Sequence, residues 1–210
     1  MKTASERCGF FWDLIMDKIG ICGAGLIGAS WAIGFANAGF KCFVYDKSED
    51  SSTKFKSLAN KLIQDLRIIN PEIDEEKINS NIKLNCTIEE TCNDSILVQE
   101  SVLEDLELKK SVFEQLDKLS PENTIIASSS SYLLISKISE LVKHKYRCIN
   151  AHPALPPHIV PFVEVAGGVN TDPKIIKQAV SIYKKAKYAA ITVNKEAEGF
   201  ILNRLQGALL

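Results

Sequence analysis

Three glycines, Gly23, Gly25 and Gly28, constrain the fold of this chain more than any other feature of its sequence. They follow an apolar-rich run, Lys18 to Ile21, and precede a stretch from 29 to 38 whose residues suit a helix. The spacing G-x-G-x-x-G is a weak signal alone, but between a strand and a helix it predicts a dinucleotide-binding turn. In such a turn the first glycine allows the tight bend, the second admits a pyrophosphate, and the third lets helix and strand pack closely.

A carboxylate at the end of the second apolar run suggests which dinucleotide binds. Leu26 and Ile27 would lie with the glycines at the start of the helix, whose first amides face the phosphates. Asp46 stands at the distance beyond Gly28 where an acid accepts from both hydroxyls of the adenosine ribose. The same charge would repel a 2′-phosphate, so we predict NAD as the cofactor, although Lys47 weakens the exclusion of NADP. A glycine-rich turn that serves only packing is the alternative.

The composition is that of an ordinary soluble protein. The chain has 210 residues, of which 46% are hydrophobic and 24% charged, and its formal net charge is −1. No basic run interleaved with aromatic residues occurs, so we expect no nucleic-acid partner. No C-x-x-C pair occurs either, and the cysteines are interpreted as small buried apolar residues of a cytoplasmic protein in a reducing compartment, without a metal site. These cysteines are Cys8, Cys22, Cys42, Cys86, Cys92 and Cys148.

The start of the chain contains a short hydrophobic segment from 8 to 16. Asp13 interrupts it, no small-residue cleavage site follows, and it is too short to cross a bilayer. No later stretch reaches the length of a membrane span, so we expect no membrane partner. We interpret 1–17 as an N-terminal extension without a catalytic role.

Apolar runs and helical patterns alternate along the rest of the chain, which is typical of an α/β protein. The pattern predicts strands at 18–21, 41–46, 81–86, 95–100, 124–127, 147–151, 160–165 and 188–193. It predicts further helices at 48–70, with Ser48 as the cap, and at 74–79, 103–119 and 173–185, and one from 198 onwards. We therefore predict a doubly wound, mostly parallel sheet of Rossmann type over 18–197, with an antiparallel edge allowed. The segment 198–210 would begin a separate helical unit.

His152 is the best candidate for handling a proton. It stands at a predicted strand end, and Glu164 lies on the strand predicted to follow, which should be its neighbour in the sheet. If the two side chains meet, the carboxylate fixes the imidazole tautomer and leaves the other ring nitrogen to take a proton from a hydroxyl. A core histidine bonded to the backbone is the alternative. The other histidines, His144 and His158, are flanked by lysines or prolines and are predicted at the surface.

A serine run, Ser128 to Ser131, follows a predicted strand at the edge where open α/β sheets bind their ligands. It is either part of a site loop or a polar linker, and the apolar segment after it favours the loop.

Four segments together resemble the 3-hydroxyacyl-CoA dehydrogenase superfamily. They occur in the expected order within a similarity that extends from about residue 18 to residue 210. Within the superfamily, 104–110 and the His-Pro-x-x-Pro-Pro segment are most similar to the L-gulonate 3-dehydrogenase (lambda-crystallin) branch. The four segments are 98–110, 127–131, 151–157 with Glu164, and 199–206.

The resemblance implies oxidation of an L-3-hydroxy acid at C3, with hydride passing to C4 of NAD. His152 would take the hydroxyl proton, and Glu164 would orient it. Ser131 matches a serine that hydrogen-bonds the substrate oxygen, and Asn203 matches an asparagine that closes the far side of the site. Glu100 matches a residue of the cofactor pocket. The family continues with an all-helical domain that makes a homodimer, so the full-length form is expected to be dimeric.

Two departures from the family pattern leave alternatives open. Leu155 stands where the family has an asparagine near the nicotinamide or the substrate, so one polar contact is missing. The chain also ends within the first helix of the helical domain, with an apolar run from Phe200, so we expect a truncated chain. The alternatives are a 3-hydroxyacyl-CoA dehydrogenase and a non-catalytic, crystallin-like NAD-binding protein.

Overall fold

The computed structural model describes residues 17–48 and 50–210. All but the last residue of the predicted N-terminal extension lies outside the described residues, including Cys8 and the hydrophobic segment from 8 to 16. The other five cysteines are buried, as predicted. Within the described part of the chain, none of the helices combines the length and the apolar composition that crossing a bilayer requires.

Eight strands form one sheet in the order β3-β2-β1-β4-β5-β6-β7-β8. Neighbouring strands are parallel except β6 and β7, which are antiparallel. The strands are β1 (Lys18–Cys22), β2 (Lys41–Tyr45), β3 (Ile82–Lys83), β4 (Ser95–Glu100), β5 (Ile125–Ser128), β6 (Cys148–Pro153), β7 (Phe162–Gly167) and β8 (Ala189–Val193). The predicted doubly wound, mostly parallel sheet is therefore confirmed, and its antiparallel part consists of the last two strands.

Helices connect most of the strands. They are α1 (Leu26–Asn37), α2 (Ser51–Ile69), α3 (Glu75–Ser80), α4 (Ile88–Cys92), α5 (Leu106–Leu119), α6 (Ile135–Ile138), α7 (Pro173–Lys185) and α8 (Leu202–Leu209). Neither α4 nor α6 was predicted, because each is too short to show a helical period. One turn of 3-10 helix, Lys145–Arg147, leads into β6.

Aspartate caps explain where several helices begin. Asp74, Asp105 and Asp172 each accept a hydrogen bond from a backbone amide in the first turn of α3, α5 and α7. Because Asp105 is the cap, α5 starts at Leu106 and not at residue 103 as the apolar pattern predicted. Pro173 occupies the first helical position of α7, where its missing N–H costs nothing.

The prediction that Ser48 caps the second helix is wrong. The helix starts at Ser51, and the backbone N–H of Ser48 donates to Oδ1 of Asp46 at 2.9 Å. This bond closes an Asx turn directly after β2, before the helix begins.

Helix α1 is buried on most sides and packs in the main core. Trp31 stacks on Phe35 with ring centroids 5.5 Å apart, and Tyr188 lies 4.9 Å from the same indole. Gly34 allows this approach, since a Cβ there would lie 2.1 Å from the hydroxyl of Tyr188. The packing fixes α1, and with it the glycine-rich turn, against the sheet.

The last helix begins later than predicted. Residues 198 to 201 form a turn, in which Gly199 and Phe200 have φ values of 76° and 47°. Phe200 is 1% exposed, although a positive φ is unusual for a bulky residue. The turn buries Phe200 before α8 starts at Leu202. The apolar run from Phe200 is therefore not one continuous helix.

Candidate functional site

Two cavities open at the carboxyl-terminal edge of the sheet, next to the glycine-rich turn. The outer cavity, of about 470 Å³, is bordered by Asp46 and Lys47 after β2. The inner cavity, of about 350 Å³, is bordered by Ser131 after β5 and by His152 in β6. Both lie where open α/β sheets bind ligands. Their residues therefore suit the two halves of a dinucleotide, the adenosine in the outer cavity and the reactive ring in the inner one.

The three glycines of the turn differ in what a side chain at each position would meet. Gly23 has a φ of 104°, which favours glycine. A Cβ on Gly28 would lie 1.9 Å from the carbonyl oxygen of Gly23, so helix and strand could not approach. A Cβ on Gly25 would meet no atom of the described residues within 4 Å, so none of them blocks a ligand beside it. In the described part of the chain no side chain caps α1 at Gly25, which leaves the first amides of the helix available to an anion.

Asp46 borders the outer cavity and is partly buried. Its Oδ2 accepts from the backbone N–H of Ala24 at 2.7 Å, and its Oδ1 accepts from Ser48. The bond to Ala24 ties the carboxylate to the glycine-rich turn. A carboxylate has about four acceptor positions, so two bonds leave capacity for ribose hydroxyls.

His152 and Glu164 meet, as their placement on neighbouring strands predicted. They face each other in register across β6 and β7, and Nδ1 of the imidazole lies 2.8 Å from Oε2 of the carboxylate. The two residues are 3% and 0% exposed. Because an ionised carboxylate only accepts, Nδ1 carries the hydrogen, and in the neutral ring Nε2 is the unprotonated nitrogen. No other described residue forms a hydrogen bond with the ring.

Glu164 also contacts the backbone at the start of α8. Its Oε1 accepts from the backbone amides of Ile201 and Leu202, at 2.9 and 3.2 Å. Phe200 stacks on His152 with ring centroids 5.2 Å apart and planes inclined by 24°. The sequence analysis missed both contacts. The only local signal was Gly199, since a glycine often marks a turn that presents the next residue in an unusual direction.

The serine run and Asn203 approach each other beside the same cavity. Ser131 lines the inner cavity with His152, and its carbonyl oxygen lies 3.5 Å from Nδ2 of Asn203. Asn203 does not border the cavity. Leu26 and Ile27, at the start of α1, do border it. The run is part of a site loop and not a linker.

Glu100 does not border either cavity, and its assignment to the cofactor pocket stays a prediction. It is 0% exposed, and its Oε1 lies 2.7 Å from Nζ of Lys109. Ser128 and the amide of Val102 donate to the same carboxylate, at 2.6 and 2.7 Å. The carboxylate of Glu100 thus receives hydrogen bonds from three protein groups, which a charge this deeply buried requires. Burial raises the pKa of Glu100, against the opposing influence of the lysine.

Lys109 and Glu104 reach the inner cavity in place of Glu100. Nζ of Lys109 lies 3.4 Å from Oε2 of Glu104, whose other oxygen accepts from Ser130. The sequence analysis assigned neither residue to the cofactor. The signal was present in their spacing, because 104 and 109 stand on either side of the start of a helix that leaves the site edge of β4.

Leu155 borders the inner cavity and is 64% exposed. The residue that departs from the family pattern therefore lies at the opening of the site. An apolar side chain here offers no hydrogen bond to a ligand.

The prediction that His158 lies at the surface is wrong. It is 6% exposed, and its Nδ1 lies 3.2 Å from the hydroxyl of Ser30 on α1. Its Nε2 lies 3.8 Å from a carboxylate oxygen of Asp65 on α2. The loop after β6 folds back over α1 and inserts the ring between the two helices. Burial lowers the pKa of His158. His144 is also partly buried, 3.1 Å from Asp117.

Known proteins are similar to this chain both in sequence and in fold. The family model described as "3-hydroxyacyl-CoA dehydrogenase, NAD binding domain" matches residues 18–197. A lambda-crystallin homolog from Rattus norvegicus is 37% identical over 193 residues, which are 90% of this chain and 60% of that protein. An L-carnitine dehydrogenase from Streptomyces griseus subsp. griseus is 33% identical over 192 residues, 91% of this chain and 57% of that protein. The chain thus spans less than two thirds of the length of either relative.

Solved structures give the same fold. A diketoreductase that acts on dicarbonyl compounds superposes with a TM-score of 0.86 at 26% identity, over 92% of this chain and 70% of that one. An (S)-3-hydroxybutyryl-CoA dehydrogenase from Ralstonia eutropha superposes with a TM-score of 0.85 at 25% identity, over 93% of this chain and 69% of that one. The family model, which is that of an NAD-binding domain, identifies NAD as the cofactor.

Proposed function

Since the chain belongs to the 3-hydroxyacyl-CoA dehydrogenase family through its NAD-binding domain, we propose that it serves in the NAD-dependent oxidation of an L-3-hydroxy acid. The substrate we favour is a short polar acid similar to L-gulonate. His152 is the general base, Glu164 orients it, Ser131 binds the substrate oxygen, and Asn203 acts from outside the cavity through its contact with the carbonyl of Ser131.

One observation supports this proposal most strongly. The imidazole of His152 borders the inner cavity, and the carboxylate 2.8 Å from its Nδ1 fixes the tautomer in which Nε2 can accept a proton. A core histidine without a role would be satisfied by the backbone, whereas here the ring bonds to a buried acid and borders a cavity.

The chain's own groups account for the proton. Nε2 of His152 accepts the proton of the substrate hydroxyl as the C3–O bond gains double-bond character. When bound, NAD supplies the C4 position that takes the hydride from C3. Glu164 stabilises the imidazolium that results, because its negative charge lies 2.8 Å from Nδ1. Ser131 borders the same cavity and offers its hydroxyl to the substrate oxygen.

The presence of an L-carnitine dehydrogenase among the relatives supports a short acid. L-carnitine dehydrogenase acts on L-carnitine, which is a small 3-hydroxy acid, and it is 33% identical to this chain. The structural neighbour that acts on 3-hydroxybutyryl-CoA is 25% identical and supports the acyl-CoA alternative. The two alternatives share the proton chemistry and differ in the substrate group beyond C2.

Turnover with both substrate types tests the proposal. NADH formation is measured with L-gulonate and with an L-3-hydroxyacyl-CoA, for the parent chain and for His152→Ala. The variant should lose roughly 10²- to 10⁴-fold in rate, which is the usual contribution of a general base. The matched control is His144→Asn, because His144 contacts Asp117 and borders neither of the two cavities of the site. Equal rates for His152→Ala and the parent would contradict the role of His152.

A non-catalytic NAD-binding protein is the second candidate. Leu155 favours it, because an exposed leucine at the opening of the inner cavity replaces the polar contact that the family pattern has there. Tight NADH binding without turnover on either substrate type would support this candidate. Recovery of turnover in Leu155→Asn would show that this one residue separates the two functions.

A further inference from the structure

Ser101 lies where the outer and inner cavities meet. It borders both, together with Gly25, and comes directly after β4. Its backbone N–H donates to the carbonyl of Cys22 at 2.8 Å. Its own carbonyl packs against the glycine-rich turn, 2.7 Å from where a Cβ of Gly23 would be. The position of Ser101 is therefore fixed by the turn that approaches the pyrophosphate.

A second hydroxyl determines which way that of Ser101 points. Oγ of Ser129 lies 2.8 Å from Oγ of Ser101, so one of the two oxygens donates to the other. Among the described residues, Ser129 is the only hydrogen-bonding partner of the Ser101 hydroxyl. If Ser129 is the donor, the hydrogen of Ser101 remains available to a ligand.

The hydrogen bonds that Ser129 accepts from two other side chains decide that it donates in its bond with Ser101. Nε1 of Trp31 lies 3.1 Å from Oγ of Ser129, and Nε2 of Gln99 lies 2.8 Å from it. An indole N–H only donates, and so does an amide NH₂. A hydroxyl accepts two hydrogen bonds at most and donates one, so these donors fill its acceptor capacity. Its hydrogen must then point to Ser101.

Tyr183 fixes the orientation of the Gln99 amide. The phenol is 0% exposed, and its oxygen lies 2.5 Å from Oε1 of Gln99, its one partner among the described residues. The phenol keeps its hydrogen, because burial raises the pKa of Tyr183 well above its ordinary value. Reversing the amide would leave that hydrogen without an acceptor, which is costly in a buried site. The amide NH₂ therefore faces Ser129.

We propose that the hydroxyl of Ser101 donates a hydrogen bond to an oxygen of the bound dinucleotide beyond its adenosine phosphate, in the bridge between the two nucleosides. Trp31, Gln99, Tyr183 and Ser129 act as positioning residues that direct this donor. The ligand atom must be an acceptor, because Ser101 itself accepts from Ser129. The inference rests on the dinucleotide site and does not depend on the hydroxy acid chemistry.

Binding measurements without a hydroxy acid test this role. Titration calorimetry compares NADH, ADP-ribose and AMP on the parent chain and on Ser101→Ala. The variant should bind NADH and ADP-ribose about 5- to 20-fold more weakly, which is typical of losing a hydrogen bond to a charged or polar oxygen. AMP lacks the bridge, so its affinity should stay within about twofold. Ser101→Thr keeps the hydroxyl and should restore the affinity.

Two further variants separate this role from a structural one. Tyr183→Phe frees the Gln99 amide to reverse, so it should reproduce the pattern of Ser101→Ala across the three ligands with a smaller loss. Ser57→Ala changes an exposed serine on α2 and should alter no affinity. Unchanged NADH binding in a folded Ser101→Ala would overturn the proposal. So would an equal loss for AMP, or a loss for NADH that ADP-ribose does not share. A parent chain that binds NADH but does not turn over would contradict only the proposed oxidation.

Discussion

Nδ1 of His152 lies 2.8 Å from Oε2 of Glu164, and the two residues stand directly opposite each other in antiparallel strands. Opposite residues of such a pair place their side chains on the same face of the sheet with Cβ atoms close together. The antiparallel reversal between β6 and β7 therefore brings together two residues that are separated along the chain. The orientation of the imidazole depends on strand register and not on a flexible loop.

Changing Glu164 to glutamine should lower the rate more than the affinity. The amide keeps much of the shape but loses the charge that stabilises the imidazolium, so we expect kcat to fall by roughly 10²-fold. NADH affinity, measured by fluorescence titration, should stay close to that of the parent. Glu72→Gln, an exposed glutamate after α2, is the matched control. A kcat for Glu164→Gln equal to that of this control would contradict the orienting role.

Alanine at two glycines of the same turn should affect different properties, NADH affinity at one and stability at the other. Gly25→Ala should fold normally, because its Cβ would meet no atom of residues 17–48 and 50–210 within 4 Å, but it should bind NADH at least about tenfold more weakly. Gly28→Ala should lower the free energy of unfolding by about 2 kcal/mol or more, because its Cβ would lie 1.9 Å from a backbone oxygen. Thermal unfolding and NADH titration measure both. If a folded Gly25→Ala still binds NADH as tightly as the parent, the phosphates of NADH do not lie beside this glycine.

Replacing Asp46 by serine should weaken the preference for NAD over NADP. The serine hydroxyl can still accept from the amide of Ala24, which the carboxylate now contacts at 2.7 Å. The charge that repels a 2′-phosphate is gone, and Lys47 remains beside the site. We expect the ratio of the NADPH and NADH dissociation constants to fall by about tenfold or more. An unchanged ratio would show that another residue excludes the 2′-phosphate.

His158 should make the fold less stable in mild acid. Burial lowers its pKa below the ordinary value of 6.5, although Asp65 opposes this. As the pH falls through 6.5, the unfolded chain takes up a proton that the folded chain does not, so the free energy of unfolding decreases until the lowered pKa is reached. Urea unfolding of the parent and of His158→Gln, between about pH 7.5 and pH 5.5, measures the difference. The variant should lose less stability than the parent over this range, whereas parallel curves would remove His158 as the cause.

The sheet and much of the candidate site could be predicted because they depend on short sequence patterns within single strands, turns and helices. Gly23, Gly25 and Gly28 follow a strand and open a helix, and Asp46 ends the next strand, so their positions along the chain determine their positions in space. The pairing of His152 with Glu164 was predicted from their placement on neighbouring strands, although the antiparallel register was not.

Contacts between distant segments could not be predicted in this way. His158 was assigned to the surface because its neighbours are prolines, but a loop that folds back over α1 buries it against Ser30. Glu100 was assigned to the pocket through the family resemblance, and its ion pair with Lys109 on the following helix was not predicted. The roles given to Ser131 and Asn203 came from the same resemblance, and they stay predictions.

Glu164 serves two distant parts of the molecule at once. One of its oxygens faces the imidazole, and the other accepts from the amides of Ile201 and Leu202 at the start of α8. A displacement of α8 would take two donors from the carboxylate and leave the imidazole as its one side-chain partner among the described residues. The direction in which Nε2 of His152 points is thus tied, through a single carboxylate, to the position of α8.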